Sequence, residues 1–302
     1  SANFAPDCSL FLHTFTDAGT PARQSLRKSD GTLLRVVEDG RVEALAEYRI
    51  SPQTFFTCKT SDGIELNGWM IKPLDFDPAK KYPVLMYVYG GPGSQTVRNT
   101  WGGQNFLWYQ LLAQKGYIIA SVDNRGTGAR GKEFKTITYK HLGKWETRDQ
   151  IDGAKYLASL PYVDGSRIGI WGWSYGGYMT LMSMLSGSGV FKTGVSVAPV
   201  THWKFYDTIY TERYMITPQE NPDGYEESAP LTHAGNLTGN LLEIHGTADD
   251  NVHWQNTVSM VNALIQEGKQ FETAFYPGGL HGIGGGKVRA QLFTKITNYI
   301  VD

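Results

Sequence analysis

The sequence predicts an α/β fold in which a mostly parallel central sheet is covered by helices on both faces. From Tyr82 onward, apolar strand-like runs alternate with runs of helical periodicity. The chain has 302 residues, of which 41% are hydrophobic and 19% are charged, which is typical of a globular protein with a sizeable core. Strands that alternate with helices need crossover connections, so they pair in parallel and are buried on both faces.

Residues 1–50 differ in texture and predict a short antiparallel β segment. The runs "SLFLHTFT", "QSLRK" and "TLLRVV" alternate in polarity and are separated by the turn signals "DAGTP" and "SDG". A brief helical stretch follows near "VEALAEY". The second unit, residues 51–302, opens with a hairpin of "TFFTCKT" and "ELNGWMI" about the "SDG" at 61–63.

The βα alternation of the second unit contains six predicted strands and five predicted helices. The strands are "YPVLMYVY", "YIIASVD", "RIGIWGW", "TGVSVAP", "NLLEIHG" and "FETAFYPG". A capping box of Thr147 and Gln150 predicts the start of the second helix, "IDGAKYLASL". The other helices are "FLWYQLLAQKG", "GGYMTLMSML", "VHWQNTVSMVNALIQEG" and "KVRAQLFTKITNYI". Ligands of such sheets bind at the carboxyl ends of the strands.

Composition excludes several classes of function. The 28 basic and 29 acidic side chains give a net charge of −1, so no bulk charge favours nucleic acid. No run of about 18 uncharged apolar residues is present, and we expect no membrane span. Cys8 and Cys58 have neither a metal-site spacing nor a disulfide framework, so we expect two free thiols.

Gly172-Trp173-Ser174-Tyr175-Gly176 is a G-x-S-x-G pentapeptide between a predicted strand and a predicted helix. This is the pattern of a nucleophile elbow, in which a sharp turn leaves the serine hydroxyl exposed at the sheet edge. Glycines two residues before and after the serine avoid Cβ overlap in that turn. An idle serine in a glycine-rich turn is the structural alternative.

A serine hydroxyl becomes a good nucleophile when an imidazole accepts its proton and an acid orients the imidazole. In this fold the acid and the histidine follow the serine in chain order. His281 comes after the last strand and before the last helix, where the base belongs. The loop after "NLLEIHG" supplies Asp249 and Asp250, and spacing does not choose between them. His245 precedes this loop, and we interpret it as a packed residue at the strand end.

A metal site is the alternative for the same loop. His245, Asp249, Asp250 and His253 are metal-ligating residue types at short spacing. The sequence contains no H-E-x-x-H helix to accompany them. We therefore expect no metal and no cofactor.

The segments "GWSYGGYMT", "VAPVTHWKFYDTIYTERYM", "IHGTADDNVH" and "LHGI" occur in an order and spacing that resemble the prolyl oligopeptidase family of serine peptidases. Trp173 and Tyr175 around the serine are typical of its dipeptidyl peptidase IV branch. The resemblance is strong over residues 50–302 and weak over residues 1–50. It implies that Ser174 is the nucleophile, His281 the general base and acid, and Asp249, rather than Asp250, the orienting carboxylate.

The resemblance also implies an oxyanion hole and a pocket for a proline ring. The backbone N–H of Tyr175 and the hydroxyl of Tyr89 would stabilise the oxyanion. Asn251 would hydrogen bond a substrate carbonyl, and Arg213 would support this region, with an ordinary salt bridge as its alternative role. The pocket walls would be Tyr175, Val200, Trp203, Tyr206, Tyr210 and Val252. Without the resemblance, "HWKFYDTIY" would be interpreted as a buried helix face.

The implied function is a serine exopeptidase that removes dipeptides from peptides beginning Xaa-Pro or Xaa-Ala. An acylaminoacyl peptidase or esterase, and a non-catalytic interaction protein, are the alternatives. Family members carry a β-propeller ahead of the hydrolase domain, so we expect this chain to be a catalytic-domain fragment in which residues 1–50 are a propeller remnant and linker. We find no candidates for the glutamates that bind the substrate's amino group in the family. The resemblance also implies a possible homodimer and a periplasmic or secreted location.

Overall fold

In the computed structural model, which describes residues 1–103 and 105–301, the chain forms two β-sheets. The first is a four-stranded antiparallel sheet in which the strands are adjacent in chain order. Its strands are β1 (Ala2–Phe4), β2 (Leu10–Asp17), β3 (Thr20–Lys28) and β4 (Leu33–Glu38). A 3-10 helix at Glu43–Glu47 follows, at the predicted helical stretch. Four antiparallel strands equal one blade of a propeller.

The four-stranded sheet keeps much of its apolar surface exposed in the described part of the chain. All six residues of β4 are exposed, including Leu33, Leu34 and Val36. Two hydrogen bonds connect this sheet to the loop before the first α-helix. The N–H of Ala18 donates to Asn99 Oδ1 at 2.8 Å, and the N–H of Trp101 donates to Thr16 Oγ1 at 3.1 Å.

The second sheet has eight strands in the order β12-β11-β10-β9-β7-β8-β6-β5. The six strands from β12 to β8 run parallel, and β6 pairs antiparallel with both β8 and β5. The chain order changes direction between β7 and β9, which is a topological switch point. The strands are β5 (Gln53–Lys59), β6 (Glu65–Ile71), β7 (Tyr82–Tyr87), β8 (Ile118–Asp123), β9 (Val163–Trp173), β10 (Thr193–Val197), β11 (Asn240–Gly246) and β12 (Glu272–Tyr276).

Helices cover both faces of this sheet and divide the core into two clusters, which confirms the predicted fold class. Val84 and Met86 of β7 lie in one cluster, and Leu85 between them lies in the other, as strand alternation requires. The helices are α1 (Phe106–Gln114), α2 (Lys132–Thr136), α3 (Lys144–Ser159), α4 (Tyr175–Met184), α5 (Thr208–Met215), α6 (Pro222–Glu227), α7 (Gln255–Gln266) and α8 (Gly286–Val301).

The predicted capping box at Thr147 is wrong, because α3 begins one turn earlier. Gly143 is the N-cap residue, with a left-handed φ of 82° and no side-chain cap. A Cβ atom at this position would overlap the hydroxyl of Tyr178, so the close contact between α3 and α4 also requires glycine. Thr147 lies inside the helix, and its buried hydroxyl has no hydrogen-bond partner among the described residues.

Cys8 is exposed and Cys58 is buried, and both are free thiols, as predicted. Over residues 1–103 and 105–301, every helix falls short of the length and apolar character that a bilayer crossing requires. The first sheet ends at Glu38 and the second begins at Gln53. The boundary at residue 50 between the two predicted units stays a prediction.

Candidate active site

Ser174 occupies the turn between β9 and α4 and has a strained backbone. Its φ of 61° and ψ of −120° form a combination that side chains other than glycine rarely adopt. A Cβ atom at Gly172 would overlap the backbone of Gly176, and one at Gly176 would overlap the carbonyl oxygen of Val88. The backbone N–H of Ser174 donates to Val197 of β10 at 2.8 Å, which fixes the turn. The pentapeptide therefore forms the sharp elbow that its pattern predicts.

The Ser174 hydroxyl lies beside the hydroxyl of Tyr89, which follows β7. Burial raises the pKa of Tyr89, and a side-chain hydrogen bond with Ser174 partly offsets that effect. Tyr175, the next residue after the serine, contributes a ring whose centroid is 6.2 Å from that of Tyr89. Because Tyr175 is the first residue of α4, its N–H has no partner within the helix and lies at the positive end of the helix dipole. Both predicted oxyanion donors are therefore next to the serine.

His281 lies in the loop between β12 and α8, and its Nδ1 is 2.8 Å from Oδ2 of Asp249. The other carboxylate oxygen of Asp249 accepts the backbone N–H groups of Asn251 at 3.0 Å and Val252 at 2.9 Å. Burial raises the pKa of Asp249, but hydrogen bonds from His245 and His281 outweigh burial and hold the pKa well below its usual range. The carboxylate is therefore ionised and orients the imidazole through Nδ1.

Asp250 is exposed and makes no hydrogen bond or ion pair with the described residues, whereas the side chain of Asp249 is fully buried. Spacing left the choice between these two aspartates open, and the geometry joins Asp249 to His281. His245 is also fully buried, with Nδ1 2.7 Å from Thr257 Oγ1 and Nε2 3.2 Å from Asp249 Oδ2. His245 is thus a packed strand-end residue that supports the acid.

The metal alternative finds no support in the described part of the chain. Residues 1–103 and 105–301 contain no group of three or more histidine, cysteine, aspartate or glutamate side chains placed to hold a metal ion. His253, the remaining member of that alternative, is exposed.

The histidine loop is attached to the serine elbow by Trp173. Its indole Nε1 donates to the carbonyl oxygen of His281 at 2.9 Å. Arg289 of α8 packs over the Trp173 ring at 5.2 Å and donates from Nη1 to the carbonyl of Gly282 at 3.1 Å. The residue before Ser174 and the residue after His281 are therefore held by one small cluster. Sequence reasoning missed Arg289, because its only signal is a basic residue in the first turn of the last helix.

The predicted pocket walls form one aromatic cluster beside the elbow. Trp203 is buried, and its ring centroid lies 5.6 Å from Tyr175, 6.0 Å from Tyr206 and 6.1 Å from Tyr210. Val200 and Val252 are also buried.

Asn251 is linked to this cluster. Tyr206 donates its hydroxyl hydrogen to Asn251 Oδ1 at 2.7 Å. The Nδ2 group of Asn251 makes no hydrogen bond with the residues that the structure describes, and its role towards a substrate carbonyl stays a prediction.

Arg213 is exposed on α5, and it makes no ion pair or hydrogen bond with the residues that the structure describes. The structure does not bring it into contact with the pocket, so its supporting role stays a prediction.

A buried carboxyl group behind the pocket was also missed. Glu146 lies in the first turn of α3 and accepts a hydrogen bond from the Tyr175 hydroxyl at 2.9 Å. An acidic residue near a helix start is ordinary, so no sequence signal distinguished Glu146 from a solvent-exposed one.

An eight-stranded sheet with a serine elbow and an aspartate-bound histidine in the loop after the last strand defines an α/β-hydrolase. The family model described as the prolyl oligopeptidase family matches residues 105–302, and the chain belongs to that family. The resemblance found in the sequence is therefore confirmed.

Two curated relatives and one solved structure show the extent of the similarity. The chain is 40% identical over its full length to a protein of Botryotinia fuckeliana named "Probable dipeptidyl-aminopeptidase B", of which it covers 33%. It is 45% identical over 88% of its length to the protein of the same name in Neurospora crassa, covering 29% of that protein. The crystal structure of Porphyromonas gingivalis dipeptidyl peptidase 4 matches with a TM-score of 0.95 and 48% identity, over 99% of this chain and 43% of that one. The chain thus spans about a third of the length of these curated relatives.

Proposed function

We propose that this chain carries the acyl-transfer site of a serine exopeptidase of the dipeptidyl peptidase type, which cleaves after a penultimate proline or alanine. The observation that carries the proposal is the 2.8 Å hydrogen bond between His281 Nδ1 and Asp249 Oδ2, beside the elbow that presents Ser174. The names of the similar proteins, dipeptidyl peptidase 4 and dipeptidyl-aminopeptidase B, support the same substrate class.

Acylation begins when Ser174 Oγ attacks the carbonyl carbon of the scissile amide and its proton moves to His281 Nε2. In residues 1–103 and 105–301, Nε2 makes no hydrogen bond and is available to accept a proton, whereas Nδ1 is held by Asp249. The ionised Asp249 stabilises the imidazolium. The negative charge that develops on the carbonyl oxygen is stabilised by the N–H of Tyr175 and the hydroxyl of Tyr89.

The tetrahedral intermediate then collapses, and the C–N bond breaks. His281 gives its proton to the leaving amine nitrogen, and the dipeptide remains bound to Ser174 as an ester. A water molecule attacks the ester carbon while His281 accepts one of its protons. The ester C–O bond then breaks, the proton returns to Ser174, and the dipeptide leaves with a free carboxylate.

The aromatic cluster favours a small, rigid ring on the acyl side of the scissile bond. The rings of Trp203, Tyr206 and Tyr210 supply flat apolar walls, and Tyr175 connects these walls to the oxyanion site. A proline ring buries its methylene groups against such walls with little loss of side-chain entropy. Alanine fits the same space with less contact.

Labelling with a fluorophosphonate tests the nucleophile. We expect one covalent adduct per chain at Ser174, and none in Ser174→Ala. The matched control is Ser188→Ala, an exposed serine on the loop after α4, which retains labelling. A folded chain that takes up no probe would support the non-catalytic alternative.

Substrate class is tested with four chromogenic compounds: Gly-Pro amide, N-blocked Gly-Pro amide, an acetylated amino-acid amide and a short ester. We expect hydrolysis of the Gly-Pro amide to depend on Ser174. Because no amino-group-binding glutamates were found in the sequence, we expect this chain to show weak turnover and little preference for the free amine. Hydrolysis of the ester or the acetylated amide alone would favour the esterase or acylaminoacyl peptidase alternative.

We also propose that two copies of the chain associate through α7 and β12. β12 is an edge strand of the large sheet, and Phe275 on it is 40% exposed. The ring of Trp254, just before α7, contacts Phe275 edge-on at 5.6 Å, and Ile265 of α7 is 58% exposed. Sedimentation equilibrium should report a dimer, and Ile265→Asp should shift it towards monomer.

A periplasmic or secreted location is proposed on the family resemblance alone. Fractionation of the source cells, with the peptidase assay as readout, tests it. Recovery of the activity only with cytoplasmic markers would contradict it.

A further inference from the structure

Glu146 is a fully buried carboxylic acid that the acyl-transfer steps do not use. It lies at the third position of α3, and its Oε1 accepts a hydrogen bond from the Tyr175 hydroxyl at 2.9 Å. Tyr175 is itself only 4% exposed. The second oxygen, Oε2, has no partner among the described residues. Burying a carboxyl group costs free energy of folding, so the presence of one beside a site residue calls for a functional explanation.

A second contact fixes the same helix end. The backbone N–H groups of Gly143 and of Glu146 itself, at the start of α3, also act to lower the pKa of the Glu146 carboxyl. The hydroxyl of Tyr178 donates to the carbonyl of Leu142 at 3.1 Å. Two tyrosines of α4 therefore bind the N-terminal end of α3, one on each side of Gly143. This attachment sets the position of the first turn of α4 relative to the rest of the domain.

The position of that turn matters because Tyr175 has two roles in the proposed site. Its backbone N–H is an oxyanion donor, and its ring is a wall of the pocket at 5.6 Å from Trp203. Oxyanion donors act through their fixed placement, and small displacements of such groups reduce rates strongly. The hydrogen bond from the Tyr175 hydroxyl to Glu146 restrains the ring and the backbone N–H of Tyr175 at once.

We propose that Glu146 is a positioning residue that holds Tyr175, and through it the oxyanion N–H and the pocket wall, by accepting the Tyr175 hydroxyl hydrogen. The inference rests on the proposed function for the meaning of the oxyanion N–H. The restraint on the first turn of α4 is a structural statement and can be measured without any substrate.

The charge on Glu146 bears on how strong this restraint is. Burial raises the pKa of Glu146 to about 7, although hydrogen bonds to the carboxylate lower it. Asp149 on the same helix, Tyr175 and Tyr178 on α4, and Tyr210 on α5 are the titratable groups that interact with it. A hydroxyl bonds an ionised carboxylate more strongly than a neutral one. The restraint should therefore strengthen as the pH rises through neutrality.

The test compares Glu146→Gln, Glu146→Leu, Tyr175→Phe and the Leu/Phe double variant by two readouts. One is the rate of fluorophosphonate labelling of Ser174, and the other is amide hydrogen exchange over residues 175–184. Glutamine keeps an acceptor, so we expect Glu146→Gln to label within about threefold of the parent rate, whereas Glu146→Leu and Tyr175→Phe should each slow labelling about tenfold. The double variant should be no slower than either single change, because both remove the same bond. Amide hydrogen exchange at the start of α4 should rise in Glu146→Leu and Tyr175→Phe but not in Glu146→Gln.

Two further measurements separate positioning from simple destabilisation. Glu243→Gln, an equally buried glutamate on β11 without contact to Tyr175, should leave the labelling rate unchanged. The ratio of parent to Glu146→Gln labelling rates should rise between about pH 6 and pH 8, where only the parent titrates at this position. A pH-independent ratio would argue for a purely structural role.

The inference is overturned if exchange over residues 175–184 is unchanged in both Glu146→Leu and Tyr175→Phe, or if Glu146→Leu slows labelling and Tyr175→Phe does not. Tyr175→Phe removes one oxygen atom, so it keeps the test decisive if Glu146→Leu fails to fold. Failure of the dipeptidyl peptidase proposal would give a different result. Gly-Pro amides would then remain uncleaved, while the effects of these variants on labelling and exchange would persist.

Discussion

The indole N–H of Trp173 donates to the backbone carbonyl of His281 at 2.9 Å. The bond joins the last residue of β9, directly before the serine, to the loop that carries His281, 108 residues later in the chain. A loop rich in glycine, "PGGLHGIGGG", carries His281 and has little intrinsic stiffness. Trp173, supported by Arg289, therefore supplies the rigidity that the loop lacks.

Replacing Trp173 with Phe should lower kcat about tenfold with a smaller change in KM. Phenylalanine keeps most of the apolar contact but removes the donor, so His281 is held less firmly beside Ser174. Steady-state kinetics on Gly-Pro amide would measure the effect. Trp69→Phe is the matched control, because it also removes an indole N–H to carbonyl bond, to Thr96 at 3.1 Å, outside the site. Equal losses in the two variants would contradict a specific role for Trp173.

Asp249→Asn should reduce kcat by about 10⁴-fold, the size of effect seen when a triad aspartate loses its charge. The amide cannot stabilise the imidazolium, and it presents a hydrogen where Nδ1–H needs an acceptor. Asp250→Asn changes the neighbouring, exposed aspartate and should stay within about twofold of the parent. The reverse ranking in the same amide assay would assign the acid to Asp250.

Tyr89→Phe should lower kcat by about 10²- to 10³-fold and leave KM nearly unchanged, because an oxyanion donor binds the transition state rather than the substrate. The comparison variant is Tyr87→Phe, two residues earlier on β7, where the side chain packs against Trp171 at 5.2 Å. A rise in KM at constant kcat for Tyr89→Phe would show that the hydroxyl serves ground-state binding instead.

Much of the fold could be predicted from sequence because its elements have strong local signals. β11 was predicted residue for residue at Asn240–Gly246, since its apolar run ends at a glycine. The short helices α2 and α6 were not predicted, because five or six residues carry too little periodicity. The start of α3 was misplaced because the decisive feature is the contact between Gly143 and Tyr178, two residues that are far apart in the chain.

The residues of the candidate site also differ in whether the sequence alone reveals them. The elbow is a local pattern, so Ser174 could be found from five residues. Choosing Asp249 over Asp250 needed either the family resemblance or the structure, since both aspartates share one loop and differ in burial and in the contact with His281. Trp173, Arg289 and Glu146 act through hydrogen bonds or ring contacts between distant segments. Such contacts leave no periodic pattern in a single sequence.

Glu243 provides a test of stability that is independent of catalysis. It is fully buried on β11, neither carboxyl oxygen has a partner among the described residues, and burial raises its pKa to about 8. An unfolded glutamate titrates near 4.5. Between these values the folded protein retains a proton that the unfolded chain has lost, so stability falls as the pH rises from about 4.5 to about 8.

Glu243→Gln removes this titration. The advantage of the variant in free energy of unfolding should therefore be larger at pH 8 than at pH 5, by roughly 3–4 kcal/mol. Urea denaturation at the two pH values measures the difference, and comparing pH values cancels the fixed cost of burying the amide. The matched control is Glu267→Gln, which changes an exposed glutamate at the end of α7. An equal advantage at both pH values would mean that Glu243 is already ionised in the folded protein and that an internal partner or water stabilises its charge.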